Sequence, residues 1–109
     1  MLKNPLRCIA IDDEPLALAL IQEYCSKIPA LDLINTFEDA ISGAEFLTIN
    51  QVDLLFVDIN MPDITGLQLV QSLKRRPMII FTTAYRDFAL EGFELEAIDY
   101  LLKPIDFKR

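Results

Sequence analysis

Residues 8–14 read CIAIDDE, so a run of four apolar residues passes directly into three acids. Residues 54–58, LLFVD, and residues 78–83, MIIFTT, have the same form, with polar side chains where the apolar run ends. Continuous apolar runs of this length are typical of strands that are covered on both faces. The three runs therefore predict central strands of a parallel sheet, at 6–11, 54–57 and 78–82.

Two further segments extend the predicted sheet. Residues 31–37, LDLINTF, alternate apolar and polar side chains, which suits an edge strand. Residues 98–102, IDYLL, form the fifth candidate strand. Helical periodicity separates the strands, and this alternation predicts an α/β domain. The first predicted helix begins at Pro15, and the second spans 39–47. The third begins at Thr65-Gly66 and runs through Leu73 to the basic residues 74–76, and the fourth lies near 87–93.

Composition limits what the chain can do. Its 109 residues suit one domain, and an apolar share of 52% with a mean hydropathy of +0.29 predicts a globular fold. Seventeen acidic and ten basic residues give a net charge of −7, which argues against direct binding of nucleic acid. The absence of histidine excludes His-based catalysis and His metal ligands. Cys8 and Cys25 lie among apolar neighbours, so we expect free thiols, which fit a cytoplasmic location. No apolar run reaches the roughly 18 residues of a membrane span, so we expect none.

Polar side chains that can carry chemistry follow four of the five candidate strands. Because the carboxyl ends of parallel strands meet at one edge of a sheet, these side chains should lie close together. Two carboxylates about 4 Å apart repel by roughly 4 kcal/mol at an effective dielectric of about 20, so such a cluster takes up protons or binds a cation. Mg²⁺ suits the cluster because it prefers oxygen ligands. The residues are Asp12, Asp13 and Glu14, then Asp58, then Thr82 and Thr83, and finally Lys103.

A lysine and a threonine at the same edge suit a ligand with several negative oxygens. Lys103 would supply a fixed positive charge and Thr83 a hydrogen-bond donor. The strand ends therefore predict a site for phosphoryl transfer, in which positioning and charge neutralisation provide most of the catalysis.

Five separated motifs occur in order along nearly the whole chain: Asp12-Asp13, DINMP at 58–62, Gly66, Thr83-Ala84, and YLLKP at 100–104. Together they resemble the receiver domain of bacterial two-component response regulators. The resemblance implies a flavodoxin-like, doubly wound sheet of five parallel strands in the order 2-1-3-4-5. Residues 106–109 would then open a fifth helix that is truncated or missing. Residues 81–85 and 97–104 are further similar to receivers that precede LytTR-type DNA-binding domains.

The resemblance assigns roles at the site. Asp58 would be the nucleophile that accepts phosphate as an aspartyl phosphate. Asp13 and Asp58 would ligate Mg²⁺ directly, with Asp12 supporting the ion through water. Asn60 would contribute its backbone carbonyl to the ion, and Lys103 would bind the phosphoryl oxygens.

Two residues are implied to convert phosphorylation into a change of surface. Thr83 would move toward the phosphate, and Tyr100 would then swing inward, altering the face of the fourth helix and fifth strand. The resemblance implies a sensor histidine kinase as donor and a homodimer through this face. Residues 1–109 would be a fragment of a longer regulator with a C-terminal output domain that controls transcription. The domain would be a switch that catalyses its own phosphorylation and dephosphorylation, and not an enzyme acting on a separate substrate.

Other interpretations of these residues remain open from the sequence. Residues 12–14 could be an acidic cluster at a helix N-terminus, and Asp58 could start a turn. Thr82 competes with Thr83 as the hydroxyl donor, and Tyr100 could be ordinary core. A Mg²⁺-dependent phosphohydrolase of the haloacid-dehalogenase type also uses an aspartate after a strand, but DINMP lacks that family's second acid and threonine. A docking module without phosphorylation chemistry is disfavoured by the complete set of acids, hydroxyl and lysine.

Overall fold

The computed structural model describes residues 4–62, 64–84 and 99–103. Its strands are β1 (Leu6–Ile11), β2 (Leu31–Phe37), β3 (Leu54–Asp58), β4 (Met78–Thr83) and β5 (Asp99–Leu102), and its helices are α1 (Pro15–Ser26), α2 (Ala40–Ile49) and α3 (Gly66–Ser72). The strands form one parallel sheet in the order β2-β1-β3-β4-β5. The order 2-1-3-4 that the resemblance implies is confirmed, and β5 pairs with β4 along its whole length.

The central strands are buried because helices cover both faces of the sheet. All five residues of β3 are buried, as are the last four residues of β1. By contrast, β2 has no fully buried residue and lies at the edge of the sheet, as its alternating sequence predicts. The sheet therefore presents the carboxyl ends of β1 and β3 side by side, with Ile11 opposite Val57.

Alternation along each strand divides the apolar side chains between two clusters. In β1, Ile9 and Ile11 belong to one cluster, and Cys8 and Ala10 belong to the other. The first cluster includes three buried residues of α3, and the second includes three buried residues of α1. Because successive side chains of a strand point to opposite faces, these helices cover opposite sides of the sheet. The structure is therefore doubly wound, as predicted.

The first two helices begin where the sequence indicates. Pro15 occupies the first turn of α1, where its missing N–H leaves no donor unsatisfied. Asp39 caps α2, and its side chain accepts a hydrogen bond from the Ser42 N–H at 2.9 Å. The second helix continues to Ile49, beyond the predicted end at residue 47.

The predicted end of the third helix is wrong. Thr65 begins α3 with a capping box, in which its side chain accepts from the Gln68 N–H and the Gln68 side chain accepts from the Thr65 N–H. The helix ends at Ser72, and Leu73 is already extended, with φ −75° and ψ 128°. Residues 73–77 are needed to connect the helix to β4, and Pro77 disfavours helical backbone at the residue before it.

Some sequence expectations lie outside the described residues, namely the fourth helix near 87–93, residue 98 of the fifth strand and the start of a fifth helix. Cys8 and Cys25 are buried free thiols, as expected, and burial, with a smaller contribution from Cys25, raises the pKa of Cys8 to about 11. In the part of the chain that the structure describes, no helix combines the length and apolar character of a membrane span.

Candidate functional site

Residues from three strand ends meet at the carboxyl edge of the sheet. Asp12 directly follows β1, Asp58 is the last residue of β3, and Lys103 directly follows β5. The Asp12 and Asp58 side chains are 0% and 4% exposed. Lys103 Nζ lies 2.9 Å from Asp12 Oδ2 and 3.4 Å from Asp58 Oδ2. The structure thus brings together two acids and the lysine that the sequence predicts to share one site.

The two buried carboxylates are oriented in the same way. Asp12 Oδ1 accepts a hydrogen bond from the Glu14 N–H at 2.9 Å, and Asp58 Oδ1 accepts one from the Asn60 N–H at 3.2 Å. In each residue the local backbone therefore fixes one oxygen and leaves Oδ2 facing Lys103. Because the donors lie two residues along the chain, the sequence that follows each strand also sets the direction of its carboxylate.

The charges of the site perturb its ionisation. Burial, followed by the negative charge of Asp12, raises the pKa of Asp58 to about 7, although Lys103 and the Asn60 N–H oppose this change. Burial lowers the pKa of Lys103, but its contacts with Glu14, Asp12 and Asp58 outweigh burial and raise that pKa above its ordinary value. The lysine is therefore a permanent cation, whereas Asp58 changes charge near neutral pH.

Glu14 belongs to the acidic run that the sequence places at this edge of the sheet, but the resemblance gives it no role at the site. Lys103 Nζ donates a hydrogen bond to Glu14 Oε1 at 2.5 Å. The backbone at Glu14 is extended (φ −100°, ψ 111°), and its side chain reaches the Lys103 ammonium. Asp13 is half-buried, and its carboxylate lies outside the group that surrounds the lysine. The run of three acids indicates an acidic cluster here, but it does not indicate that Glu14 contacts Lys103.

The predicted hydroxyl and amide residues contact each other. Asn60 Nδ2 donates a hydrogen bond to Thr83 Oγ1 at 3.4 Å, and both threonines at the end of β4 are buried. Thr82 Oγ1 has no hydrogen-bond partner among the described residues. Its contact with Asn60 makes Thr83 the better candidate of the two. The backbone of Tyr100 lies opposite Phe81 in the β4–β5 register.

Gly66 allows the start of α3 to approach the strand that carries Asp58. A Cβ at this position would lie 2.3 Å from the Asp58 carbonyl oxygen, far inside contact distance. The Gly66 N–H donates to the Ile59 carbonyl at 2.8 Å, which closes the loop between β3 and α3. A glycine is therefore required here by main-chain packing next to the site.

The acidic residues fit a divalent cation. Oxygens of Asp12, Glu14 and Asp58 lie within 4.8 Å of one another. Asp12 Oδ2 is buried and accepts no aligned hydrogen bond from the described residues, so its 2.9 Å contact with Lys103 is an ion pair. When all three acids are ionised, the group with Lys103 carries a net charge of −2. Carboxylate oxygens of this charge suit a hard cation such as Mg²⁺.

Comparison with known proteins places this arrangement in a family. A sequence profile described as the response regulator receiver domain matches residues 8–109. The chain belongs to the receiver domain family. The receiver domain is 40% identical to the transcriptional regulatory protein LytR of Staphylococcus aureus (strain N315) and 36% identical to the transcriptional regulatory protein YpdB of Escherichia coli (strain K12), over 107 residues in each case.

The matched region covers 95% of this receiver domain but 44% of each of these relatives, so the chain spans less than half of their length. Among solved structures, the response regulatory domain of protein mrkE from Klebsiella pneumoniae is similar, with a TM-score of 0.87 and 36% sequence identity. That alignment covers 95% of this chain and 88% of the mrkE chain.

Membership of the family gives the receiver domain its general role. It is the receiver of a response regulator in two-component signalling, where receiver domains act as phosphoacceptor switches and partner with histidine kinases. The match favours this interpretation over the phosphohydrolase that the sequence left open.

Proposed function

We propose that this receiver domain accepts a phosphoryl group on Asp58 from the phosphohistidine of a sensor histidine kinase, in a Mg²⁺-dependent reaction. The observation that carries the proposal is the position of the Asp58 carboxylate. It is buried at the end of a central strand, with one oxygen fixed by a backbone N–H and the other 3.4 Å from the Lys103 ammonium. A carboxylate beside a fixed cation can attack phosphorus while the oxygens of the incoming group are neutralised.

The bond changes follow from this geometry. Asp58 Oδ2 forms a bond to phosphorus as the phosphorus–nitrogen bond of the donor breaks, and the electron pair of that bond stays with the imidazole of the kinase. The Asn60 N–H holds Oδ1 and so keeps Oδ2 directed at the incoming group. Lys103 binds the phosphoryl oxygens of the aspartyl phosphate that results.

The acids around Asp58 would hold the metal ion. We assign direct ligation to Asp13 and Asp58, support through water to Asp12, and a backbone carbonyl ligand to Asn60. The close group of acids at this edge, and the buried Asp12 Oδ2 that accepts no aligned hydrogen bond among the described residues, support a cation here. When bound, Mg²⁺ supplies positive charge that favours the ionised form of Asp58 and offsets the charge of the phosphoryl oxygens.

We further propose that Thr83 and Tyr100 convert phosphorylation into a signal. Thr83 exchanges its contact with Asn60 for the phosphoryl group. The Lys103 N–H donates to the Thr83 carbonyl at 2.7 Å, so the ends of β4 and β5 are linked. Displacement of Thr83 therefore favours an inward position of Tyr100 and alters the face of the fourth helix and fifth strand, through which we propose that the domain forms a homodimer.

The output proposed for the whole protein is transcriptional control in the cytoplasm. The relatives LytR and YpdB are both named transcriptional regulatory proteins, and each is more than twice as long as the matched region. We propose that residues 1–109 are the receiver of such a longer regulator, with a C-terminal output domain of the LytTR type. Because the receiver carries a net charge of −7, DNA binding is assigned to the output domain.

Intact mass spectrometry after incubation with acetyl phosphate tests the proposal. We expect one phosphoryl adduct in the wild-type protein with Mg²⁺, and none in EDTA or in Asp58→Asn. No adduct in the wild type, or an adduct that persists in Asp58→Asn, would remove Asp58 as the acceptor. Continuous release of phosphate from a small ester without a stoichiometric adduct would indicate a hydrolase instead.

A further inference from the structure

Glu14 makes the shortest of three acidic contacts with Lys103, although it is the most exposed of the three acids. The Lys103 ammonium donates to Glu14 Oε1 at 2.5 Å, and the Glu14 side chain is 62% exposed. The distances from Nζ to the buried oxygens Asp12 Oδ2 and Asp58 Oδ2 are 2.9 Å and 3.4 Å. The lysine that the proposed function assigns to the phosphoryl group is therefore held toward the rim of the site.

The Glu14 side chain is not needed to begin helix α1. Glu14 occupies the N-cap, but its side chain makes no capping hydrogen bond among the described residues. Its structural contact comes from the backbone N–H, which donates to Asp12 Oδ1 and is retained by any substitution except proline. A change of the Glu14 side chain therefore alters its contact with Lys103 without removing a helix cap.

We propose that Glu14 is a positioning residue that restrains Lys103 before phosphorylation and strengthens cation binding at the same time. The inference rests on the proposed function, because it concerns the lysine that receives the phosphoryl oxygens. Glu14 must release Nζ before Lys103 can turn fully to the phosphoryl group on Asp58. The same carboxylate adds negative charge that attracts a divalent cation and repels an anionic phosphodonor.

The two effects act in opposite directions, which separates this role from a merely structural one. Neutralising Glu14 lowers the attraction for Mg²⁺, so the cation should bind more weakly. Once Mg²⁺ is saturating, the same change frees Lys103 and weakens the repulsion of the donor, so phosphorylation should be faster. A variant that merely disturbed the fold would weaken both the affinity and the rate.

The experiment uses Glu14→Gln and the matched control Glu23→Gln, which removes the same charge from an exposed position on α1. Mg²⁺ affinity of the unphosphorylated protein is measured by titration calorimetry. The rate of phosphorylation by acetyl phosphate is measured by intact mass at saturating Mg²⁺. A third variant, Glu14→Asp, keeps the charge but shortens the side chain and so withdraws it from Lys103.

For Glu14→Gln we expect Mg²⁺ affinity to fall about two- to fivefold and the saturated rate to rise about two- to fivefold, the range of exposed ion pairs. Glu23→Gln should match the wild type in both measurements. Glu14→Asp should keep Mg²⁺ affinity within about twofold of the wild type and still phosphorylate faster.

Three outcomes would overturn the proposal. An unchanged or slower saturated rate in Glu14→Gln would show that Glu14 does not restrain the lysine. Unchanged Mg²⁺ affinity in that variant would exclude its contribution to cation binding. If the wild type itself is not phosphorylated, the proposed function fails and this inference fails with it. If the wild type is phosphorylated but Glu14→Gln matches it in Mg²⁺ affinity and in rate, only the inference is refuted.

Discussion

Replacing Asp58 with asparagine should stabilise the metal-free receiver domain, and by more at pH 8 than at pH 5. Burial and the charge of Asp12 raise the pKa of Asp58 from 3.8 to about 7 in the folded protein. The carboxyl returns to its ordinary value on unfolding, so the folded state binds more protons than the unfolded state between these two pKa values. The contribution of Asp58 to the free energy of unfolding is therefore fully present below the lower pKa. It falls as the pH rises between the two pKa values and no longer changes above the higher one.

The magnitude follows from the two pKa values. At about 1.4 kcal/mol per pH unit, keeping the Asp58 carboxylate ionised in the folded state costs up to about 4 kcal/mol. Roughly 2 to 3 kcal/mol of this cost develops between pH 5 and pH 8, because at pH 5 the unfolded chain is already ionised and the folded protein is not. Asparagine retains an oxygen that can accept from the Asn60 N–H, and Lys103 keeps Asp12 and Glu14 as partners.

Urea unfolding followed by circular dichroism, in EDTA at both pH values, provides the assay. The stability advantage of Asp58→Asn over the wild type should grow by about 2 to 3 kcal/mol from pH 5 to pH 8. The control Asp32→Asn, at an exposed position on the edge strand, should show no such growth. At pH 8, Mg²⁺ should stabilise the wild type but not Asp58→Asn. An advantage that does not depend on pH, or a variant less stable than the wild type at pH 8, would refute the reasoning.

Three further changes have defined outcomes. Gly66→Ala should lower the melting temperature more than Gly43→Ala. The Cβ added at position 66 would meet rigid main chain of β3 at 2.3 Å, whereas the Cβ added at position 43 would meet the tip of a side chain of β1 at 2.2 Å. The reverse order of melting temperatures in a thermal melt would contradict this argument. Thr65→Ala removes the capping box of α3 and should cost about 1 kcal/mol in urea unfolding with the rate of phosphorylation unchanged, so an unchanged stability would be inconsistent with the cap. Lys103→Met should bind Mg²⁺ more tightly, because a competing positive charge is lost, yet phosphorylate at least about tenfold more slowly; calorimetry and intact mass check the two, and a rate equal to that of the wild type would exclude Lys103 from the reaction.

Much of the fold could be predicted because strands that are covered on both faces need continuous apolar side chains, and the sequence shows such runs directly. The bounds of β1 and β2 agree with the sequence, since their apolar runs end at polar residues. The next two strands each extend one residue further, to Asp58 and Thr83, because backbone pairing continues past the last apolar side chain. The early end of α3 could not be predicted, since its periodicity runs on to Leu73 while the connection to β4 requires extended backbone.

The candidate site could be predicted as far as topology determines it. Asp12, Asp58 and Lys103 meet because parallel strands place their carboxyl ends together. The contact between Glu14 and Lys103 joins residues 89 positions apart and depends on side-chain reach, which periodicity does not describe. The resemblance already favours Thr83 over Thr82, but the hydrogen bond that Asn60 donates to Thr83 is a contact that the sequence does not describe.

The most direct test of the central claim is the chemical identity of the phosphorylated residue. Borohydride reduces an aspartyl phosphate to homoserine, so the wild-type protein can be treated with acetyl phosphate and Mg²⁺, reduced, digested and examined by peptide mass spectrometry. The account predicts homoserine at position 58 and none when Mg²⁺ is replaced by EDTA. Homoserine at another aspartate, or equal reduction at position 58 without Mg²⁺, would contradict it.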